Sequence, residues 1–501
     1  MKKQLFASSA FRLLENIIMV AISLLLTPFF INTLGNNDYG LWLLTLSILG
    51  WFNVIDLGFP AAVQRHITIA LEQKDNHQIN TVFSTSLVLF GSLGLLSALG
   101  LLLLAQYPSI MGVNEASSIT FTSALMMLAL KVVWDFLMNA FNGFFSGMLR
   151  YDIDANISSF NTIFKATLVF LLIPEMHILG AVAATLTADF CSNVMKVYYA
   201  KKLFSPLSFK LSLVSFSELK ALFNFSKHVI AGGVARVIST KSDPILVTKL
   251  FELTLVPIYS IANRLSALVE GFASSISGIF QPVFTRMVAR GENMESMFHE
   301  ITAINILVYS VLYQSLFIFG GLFVLLWVGD SFFDSILLMN LLVFSFLCRA
   351  LNWSVKGVLI AQANHKLLAL TNLFGAVVNI TCSIILSSYI GIIGIAVGTA
   401  IGFFITDVLL NLVLLKRYNN FSIAPVIKGF MLSVILTYTI GYFGQQFIMH
   451  YIEKSWLMLI VSAAIMFPFI ILINWFILLD KHLKQKSLAI ISKKIPFLKT
   501  T

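Results

Sequence analysis

Charged side chains interrupt an otherwise apolar stretch at residues 223–251. The segment "ARVISTKSDPILV", residues 235–247, carries Arg236, Lys241 and Asp243. Each such group opposes insertion by roughly 2.5–3.5 kcal/mol at the centre of a membrane helix. Charges of this kind persist inside a membrane where they face water or a partner. They therefore mark a candidate substrate or ion pathway.

Similar groups recur at helical spacing in other apolar segments, and basic side chains outnumber acidic ones. The basic residues well inside apolar segments are Lys131, Lys165, Arg236, Lys241, Arg264, Arg349 and Lys356, and the acids are Asp56, Asp135, Asp189, Asp243 and Glu270. The excess of cations predicts a wet, cationic cavity for a phosphate or pyrophosphate group. The alternative for any single residue is interhelical pairing, which is common in helical bundles.

The composition identifies the elements that must position these residues. The 501-residue chain is 58% hydrophobic and 11% charged, whereas soluble domains are about 25% charged. Apolar runs near 20 residues predict an all-α integral membrane fold. Fourteen transmembrane helices are expected at residues 8–33, 40–64, 81–106, 118–146, 154–174, 178–200, 222–250, 255–283, 300–328, 335–361, 367–389, 391–415, 423–449 and 456–480.

The distribution of Lys and Arg predicts the orientation of these helices. With both termini in the cytoplasm, the outer loops hold only Lys249 and Lys454 as basic residues, and the inner segments hold the many others. This topology explains the net charge of +10 without nucleic acid as a partner.

Internal similarity at an offset of 214 predicts two pseudo-symmetric lobes. "ILGAVAATLTADF" from Ile178 resembles "IIGIAVGTAIGFF" from Ile392, and the same offset pairs Asp135 with Arg349 and Asn142 with Lys356. We expect an N-terminal lobe at 1–210 with helices 1–6 and a C-terminal lobe at 211–420 with helices 7–12. Helices 13–14 at 421–480 and a basic cytoplasmic tail at 481–501 follow. Parallel repeats of this kind are typical of transporters.

The motifs of several enzyme classes are absent from the sequence. It contains no G-x-x-x-x-G-K-[ST], H-E-x-x-H, C-x-x-C or G-x-S-x-G. We therefore expect no catalytic residues, no metal site and no cofactor. An intramembrane lipid-phosphate glycan enzyme remains the less favoured alternative.

Four segments resemble a known group of transporters. "LGNNDYGLW" at 34–42, "NVIDLGFPAAVQRHI" at 53–67, "GMLRYDIDANISSFN" at 147–161 and "ILGAVAATLTAD" at 178–189 are similar to Wzx-type polysaccharide flippases. These belong to the multidrug, oligosaccharidyl-lipid and polysaccharide exporter superfamily. The resemblance implies alternating access by two six-helix lobes with a cationic cavity.

The resemblance also implies a substrate, undecaprenyl-pyrophosphate-linked oligosaccharide, moved from the cytoplasmic to the periplasmic leaflet of the bacterial inner membrane. Membrane lipids, a polysaccharide polymerase and chain-length proteins are then the expected partners. A proton gradient, a Na⁺ gradient or the membrane potential would drive transport. The alternative is an ion-coupled multidrug or small-molecule antiporter, for which an acidic cavity is expected.

On this interpretation the candidate residues divide by role. Arg236, Arg349 and Lys356 would hold the pyrophosphate, and Lys131, Lys165, Lys241 and Arg264 would pass it along. Asn16, Asn53, Asn142, Asn263 and Gln281 could bond sugar hydroxyls. The candidates for ion coupling or gating are Glu15, Asp56, Asp135, Asp243 and Glu270.

Overall fold

Helices account for nearly the whole of the computed structural model. It describes the backbone of residues 2–53 and 58–494, and the side chains of that range except those of 2–13, 227–232, 365 and 489–494. No strand occurs within this described part. The expectation of an all-α membrane fold is confirmed.

The chain divides into two compact units, Met1–Pro257 and Ile258–Thr501. The first unit contains α1 (Lys2–Phe52), α2 (Phe59–Glu72), α3 (Asn76–Ala105), α4 (Glu115–Gly147), α5 (Tyr151–Leu203), α6 (Phe216–Lys241) and α7 (Asp243–Leu250). The second begins within α8 (Leu255–Ser277) and continues through α9 (Gln281–Ala289), α10 (Glu295–Val328), α11 (Asp334–Ala361), α12 (His365–Ile390), α13 (Ile393–Phe403), α14 (Asn411–Asn419), α15 (Ala424–Tyr451), α16 (Trp456–Leu478) and α17 (Lys481–Lys494).

Ten helical segments in the described residues are long and apolar enough to cross a membrane. Two of them contain non-helical residues, Gly35 in α1 and His177 in α5. These breaks fall between spans that the sequence predicts as separate. α6 and α8 overlap two further predicted spans and are not among the ten.

α6 packs on the amino-terminal unit, although the internal repeat assigns it to the second lobe. Side chains of α3 hold the segment that precedes it. Asn80 bonds the backbone of residues 206 and 208, and Thr85 accepts from the Ser215 N–H at 3.0 Å. α6 ends at Lys241, and Pro244 lies in the first turn of the separate helix α7. Proline suits this position because its missing N–H needs no partner there.

Glycines bring α12 and α13 into close contact in the second unit. Gly394, Gly398 and Gly402 recur every fourth residue along one face of α13. A Cβ atom at Gly402 would lie 2.6 Å from the Cβ atom of Asn379 on α12. Small residues at this spacing allow helix backbones to approach closely in a membrane.

Buried amides join α15 and α16 to α10. Asn474 is fully buried; its Nδ2 donates to Gln314 Oε1 at 2.5 Å, and its Oδ1 accepts from Ser310 Oγ at 2.7 Å. Gln314 Nε2 in turn donates to the Leu436 carbonyl at 3.2 Å. These hydrogen bonds anchor the last two apolar helices within the second unit.

Candidate functional site

Asp189 is the centre of a charged cluster in the amino-terminal unit. Its Oδ2 lies 2.8 Å from Lys131 Nζ on α4, and its Oδ1 lies 3.3 Å from Lys165 Nζ in the first half of α5. Lys131 is only 9% exposed and also bonds Asp135 one turn further along α4. Asn161 donates to Asp189 Oδ1 at 2.7 Å. The cluster has no net charge, since two lysines face two carboxylates. Its contacts join α4 to both halves of α5.

A further cation, Lys196, lies two turns beyond Asp189 on α5. Its Nζ donates to Asn142 Oδ1 at 2.8 Å, and Asn142 Nδ2 donates to Asn139 Oδ1 at 3.0 Å. No carboxylate pairs with Lys196 among the described residues. Lys196 is not among the residues predicted from the sequence, although it lies seven positions after Asp189, on the same face of a helix.

Arg236 and Lys241 on α6 are exposed cations. Neither forms an ion pair with any residue that the structure describes. The stem of Lys241 lies against Gly50, where an added Cβ would meet its Cδ at 3.2 Å. Asp243, by contrast, is 3% exposed at the start of α7. The charged residues of the segment 235–247 thus divide into two exposed cations and a buried acid.

Glu270 on α8 is the corresponding polar centre of the carboxy-terminal unit. Its Oε1 accepts from Tyr309 Oη at 3.1 Å and from Trp353 Nε1 at 3.4 Å, and it lies 4.0 Å from Arg349 Nη1. The guanidinium carbon of Arg349 also lies 5.0 Å from the centre of the Phe403 ring. Aromatic rings therefore surround this carboxylate and its arginine.

The remaining predicted site residues differ in how far their side chains are exposed. Lys356 is exposed, with its Nζ 5.1 Å from the centre of the Trp353 ring. Asn263, Arg264, Gln281 and Glu15 are half-buried, and Asn16 and Asn53 are exposed. Asp56 lies outside the described residues.

Asp407 is a buried acid that the site prediction omitted. It lies in a π-helical segment, Phe404–Leu410, between α13 and α14. Its side chain is 3% exposed, and Oδ2 is buried without a hydrogen-bond partner. A single Asp in an apolar run gives no sign in the sequence of which residues face it. Repeat alignment at the offset of 214 places it opposite Asn193, which is also buried.

The described residues contain no group of three or more His, Cys, Asp or Glu side chains arranged to hold a metal ion. The polar centres consist instead of lysine or arginine, carboxylates and amides within bundles of apolar helices. This combination suits an intramembrane pathway for a charged or polar substrate.

The helical architecture resembles that of two solved membrane transporters. The lipid II flippase MurJ in its inward closed conformation superposes with a TM-score of 0.72, covering 93% of this chain and 97% of that chain at 15% identity. A multidrug resistance MATE family transporter in its inward-facing conformation superposes with a TM-score of 0.69. The superposition covers 82% of this chain and 98% of that chain at 15% identity. Likeness at this identity concerns the fold alone.

Sequence comparison identifies the family. Residues 5–288, more than half of the chain, match the family "Polysaccharide biosynthesis protein", and the chain belongs to it. Similar proteins include the uncharacterized membrane protein EpsK of Bacillus subtilis (strain 168), 22% identical over 82% of this chain and 83% of that protein. A putative O-antigen transporter of Shigella flexneri is 23% identical over 75% of this chain and 90% of that protein. The chain is a multi-pass membrane protein of this family.

Proposed function

We propose that the protein flips an undecaprenyl-pyrophosphate-linked oligosaccharide, an O-antigen unit or another surface polysaccharide repeat unit, from the cytoplasmic to the periplasmic leaflet. It would do so by alternating access. The observation that carries this proposal is the exposure of Arg236 and Lys241 on α6 without ion pairs among the described residues. Family membership and the similarity to a putative O-antigen transporter support it.

The cations would act on the pyrophosphate in two ways. Arg236, Arg349 and Lys356 would hold it, because a guanidinium fork matches phosphate oxygens. Lys131, Lys165, Lys241 and Arg264 would pass it along, with Lys131 and Lys165 each exchanging a carboxylate for a phosphate oxygen. Asn142 and Asn263 would bond sugar hydroxyls.

An ion gradient would supply the energy for this movement. A membrane potential acts on each elementary charge with about 2.3 kcal/mol per 100 mV. Glu15, Asp56, Asp135, Asp243 and Glu270 are the proposed coupling or gating acids, for a proton or Na⁺. We place the chain in the bacterial inner membrane with both termini in the cytoplasm. A polymerase and chain-length proteins are the proposed partners.

Replacing Arg236 and Arg349 together by alanine tests the proposal. We expect lipid-linked glycan to be synthesised normally but to accumulate in the inner leaflet, as measured by periplasmic accessibility of the glycan in spheroplasts. Arg290→Ala is the matched control, because Arg290 is 69% exposed on its side chain and pairs with the nearby Glu292. Normal surface polysaccharide in the double variant would refute the assignment.

A second candidate is an ion-coupled antiporter of cationic small molecules. The aromatic side chains around Glu270 favour it, since aromatic faces and a carboxylate together bind organic cations. This alternative predicts increased drug susceptibility on Glu270→Gln with unchanged surface polysaccharide. The flippase proposal predicts loss of the polysaccharide.

A further inference from the structure

Asp407 combines two unusual features within one membrane helix segment. Its carboxylate forms no hydrogen bond or ion pair with any described residue, and its Oδ2 is buried without a partner. It also lies in the π-helical segment 404–410. π-Helical turns are rare, and they occur frequently at functional sites. An ionisable residue inside the membrane is likewise a functional candidate by default.

The charges that act on Asp407 come from two helices. Arg349, Lys356 and Cys348 on α11 and Glu270 on α8 are its electrostatic neighbours. The packed helix α13 has no titratable side chain, and Lys366 on α12 and Lys416 on α14 are exposed. The buried or half-buried groups that act on Asp407 are therefore the Arg349 guanidinium, the Glu270 carboxyl group and the Cys348 thiol.

Arg349 already forms an ion pair with Glu270. The guanidinium lies 4.0 Å from Glu270 Oε1, and the same oxygen accepts hydrogen bonds from Tyr309 and Trp353. Hydrogen-bond donors favour the ionised form of a carboxyl group. The ionised form of Glu270 is thus better stabilised than that of Asp407. The negative charge of an ionised Asp407 would have no partner to compensate it. A buried carboxylate without a partner takes up a proton rather than bearing that charge.

We propose that Asp407 is a proton-binding site of the transport cycle, protonated in the conformation seen here. When water reaches it, the O–H bond breaks, the proton passes to water as hydronium, and the carboxylate left behind can pair with Arg349. This role rests on the proposed ion-driven transport function. A proton fits better than Na⁺, because metal cations require several oxygen ligands and the nearby guanidinium repels them.

Labelling with dicyclohexylcarbodiimide tests the site without any transport substrate. This apolar reagent modifies protonated carboxyl groups within membranes. The full-length protein in lipid nanodiscs would be treated at a series of pH values, and labelled peptides would be identified by mass spectrometry. We expect modification of Asp407 at neutral pH, lost as the pH rises, and none in Asp407→Asn. Asp189, which has two lysine partners, is the internal control and should stay unmodified.

Three outcomes would overturn the inference. One is an unmodified Asp407 in the wild-type protein at every pH of the series. Another is modification of Asp407 that is independent of pH. A third is protection of Asp407 by Na⁺ but not by K⁺ at constant pH, which would make it a sodium site. These measurements on the wild type remain decisive if Asp407→Asn does not fold.

A transport assay in proteoliposomes separates this inference from the proposed function. If wild-type protein fails to flip lipid-linked oligosaccharide, the flippase proposal fails, whatever the labelling shows. If it flips, we expect an imposed pH gradient to accelerate the wild type and to lose its effect in Asp407→Asn. Unchanged acceleration in that variant would refute the proton role of Asp407 and leave the flippase proposal intact.

Discussion

Lys131 Nζ and Asp189 Oδ2 lie 2.8 Å apart and join α4 to the second half of α5. Lys165 shares the same carboxylate from the first half of α5, which lies before the break at His177. One carboxylate thus fixes three helical segments. On the proposed function, a pyrophosphate that displaces Asp189 would release this connection, so substrate binding and helix movement would be linked.

Lys131→Met should destabilise the protein more than Lys165→Met does. The Lys131 side chain is 10% exposed and that of Lys165 is 32% exposed. Removing one partner of a buried ion pair costs about 3 kcal/mol, because the other charge remains buried. Thermal denaturation in detergent measures the difference. The double variant Lys131→Met/Asp135→Asn, which removes one charge of each sign, should recover part of the loss. Equal melting temperatures for the two single variants would contradict this interpretation.

Asn474→Ala should lower the free energy of unfolding by about 1 kcal/mol, because it leaves the buried Gln314 Oε1 without its donor. Ser462→Ala is the control on the same helix. Its hydroxyl is also buried but bonds only the Leu459 carbonyl within α16. Denaturation of both variants in the same detergent compares them. A loss of equal size for Ser462→Ala would argue against a specific interhelical contribution.

Gly402→Ala should destabilise the packing of α12 on α13. The added Cβ would lie 2.6 Å from Asn379 Cβ, and overpacking of this kind costs about 1–3 kcal/mol. Gly271→Ala on α8 is the matched control, because no atom lies within 4 Å of its added Cβ. We expect the control to be neutral or slightly stabilising, since alanine favours a helix over glycine. Melting temperatures of both variants provide the measurement.

Single cysteines test the predicted orientation in the membrane. In a chain whose three native cysteines are replaced by alanine, Glu453→Cys should react with a membrane-impermeant maleimide in spheroplasts, and Arg417→Cys should react only after lysis. Both residues are exposed, so access to each depends on the side of the membrane. The reverse pattern would exclude cytoplasmic termini.

The length and position of the apolar runs in the sequence were sufficient to predict the helices. The apolar runs located the membrane segments, and the polar cluster at 34–38 marked the break at Gly35. The four-residue spacing of Lys131 and Asp135 correctly placed them on one face of α4. Such features depend on residues close together in the chain, which a sequence displays directly.

Contacts between distant segments could not be predicted in the same way. Asp189 was predicted from the sequence as an acid inside an apolar segment. The sequence gave no sign that both Lys131 and Lys165 would contact it. Asp407 was omitted because its burial without a partner and its π-helical turn are features of the folded chain. Nor did the internal repeat predict that α6 packs on the first unit, since a repeat gives no information about loops such as 204–215.

The hydrogen bond from the Asn474 side-chain amide to that of Gln314 makes α16 a fixed part of its unit. A fluorophore on the lipid side of α16, at the exposed Leu457, would therefore report displacement of the whole carboxy-terminal body rather than of one helix. Its energy transfer to a second dye on the amino-terminal body would give a direct readout of turnover in single molecules.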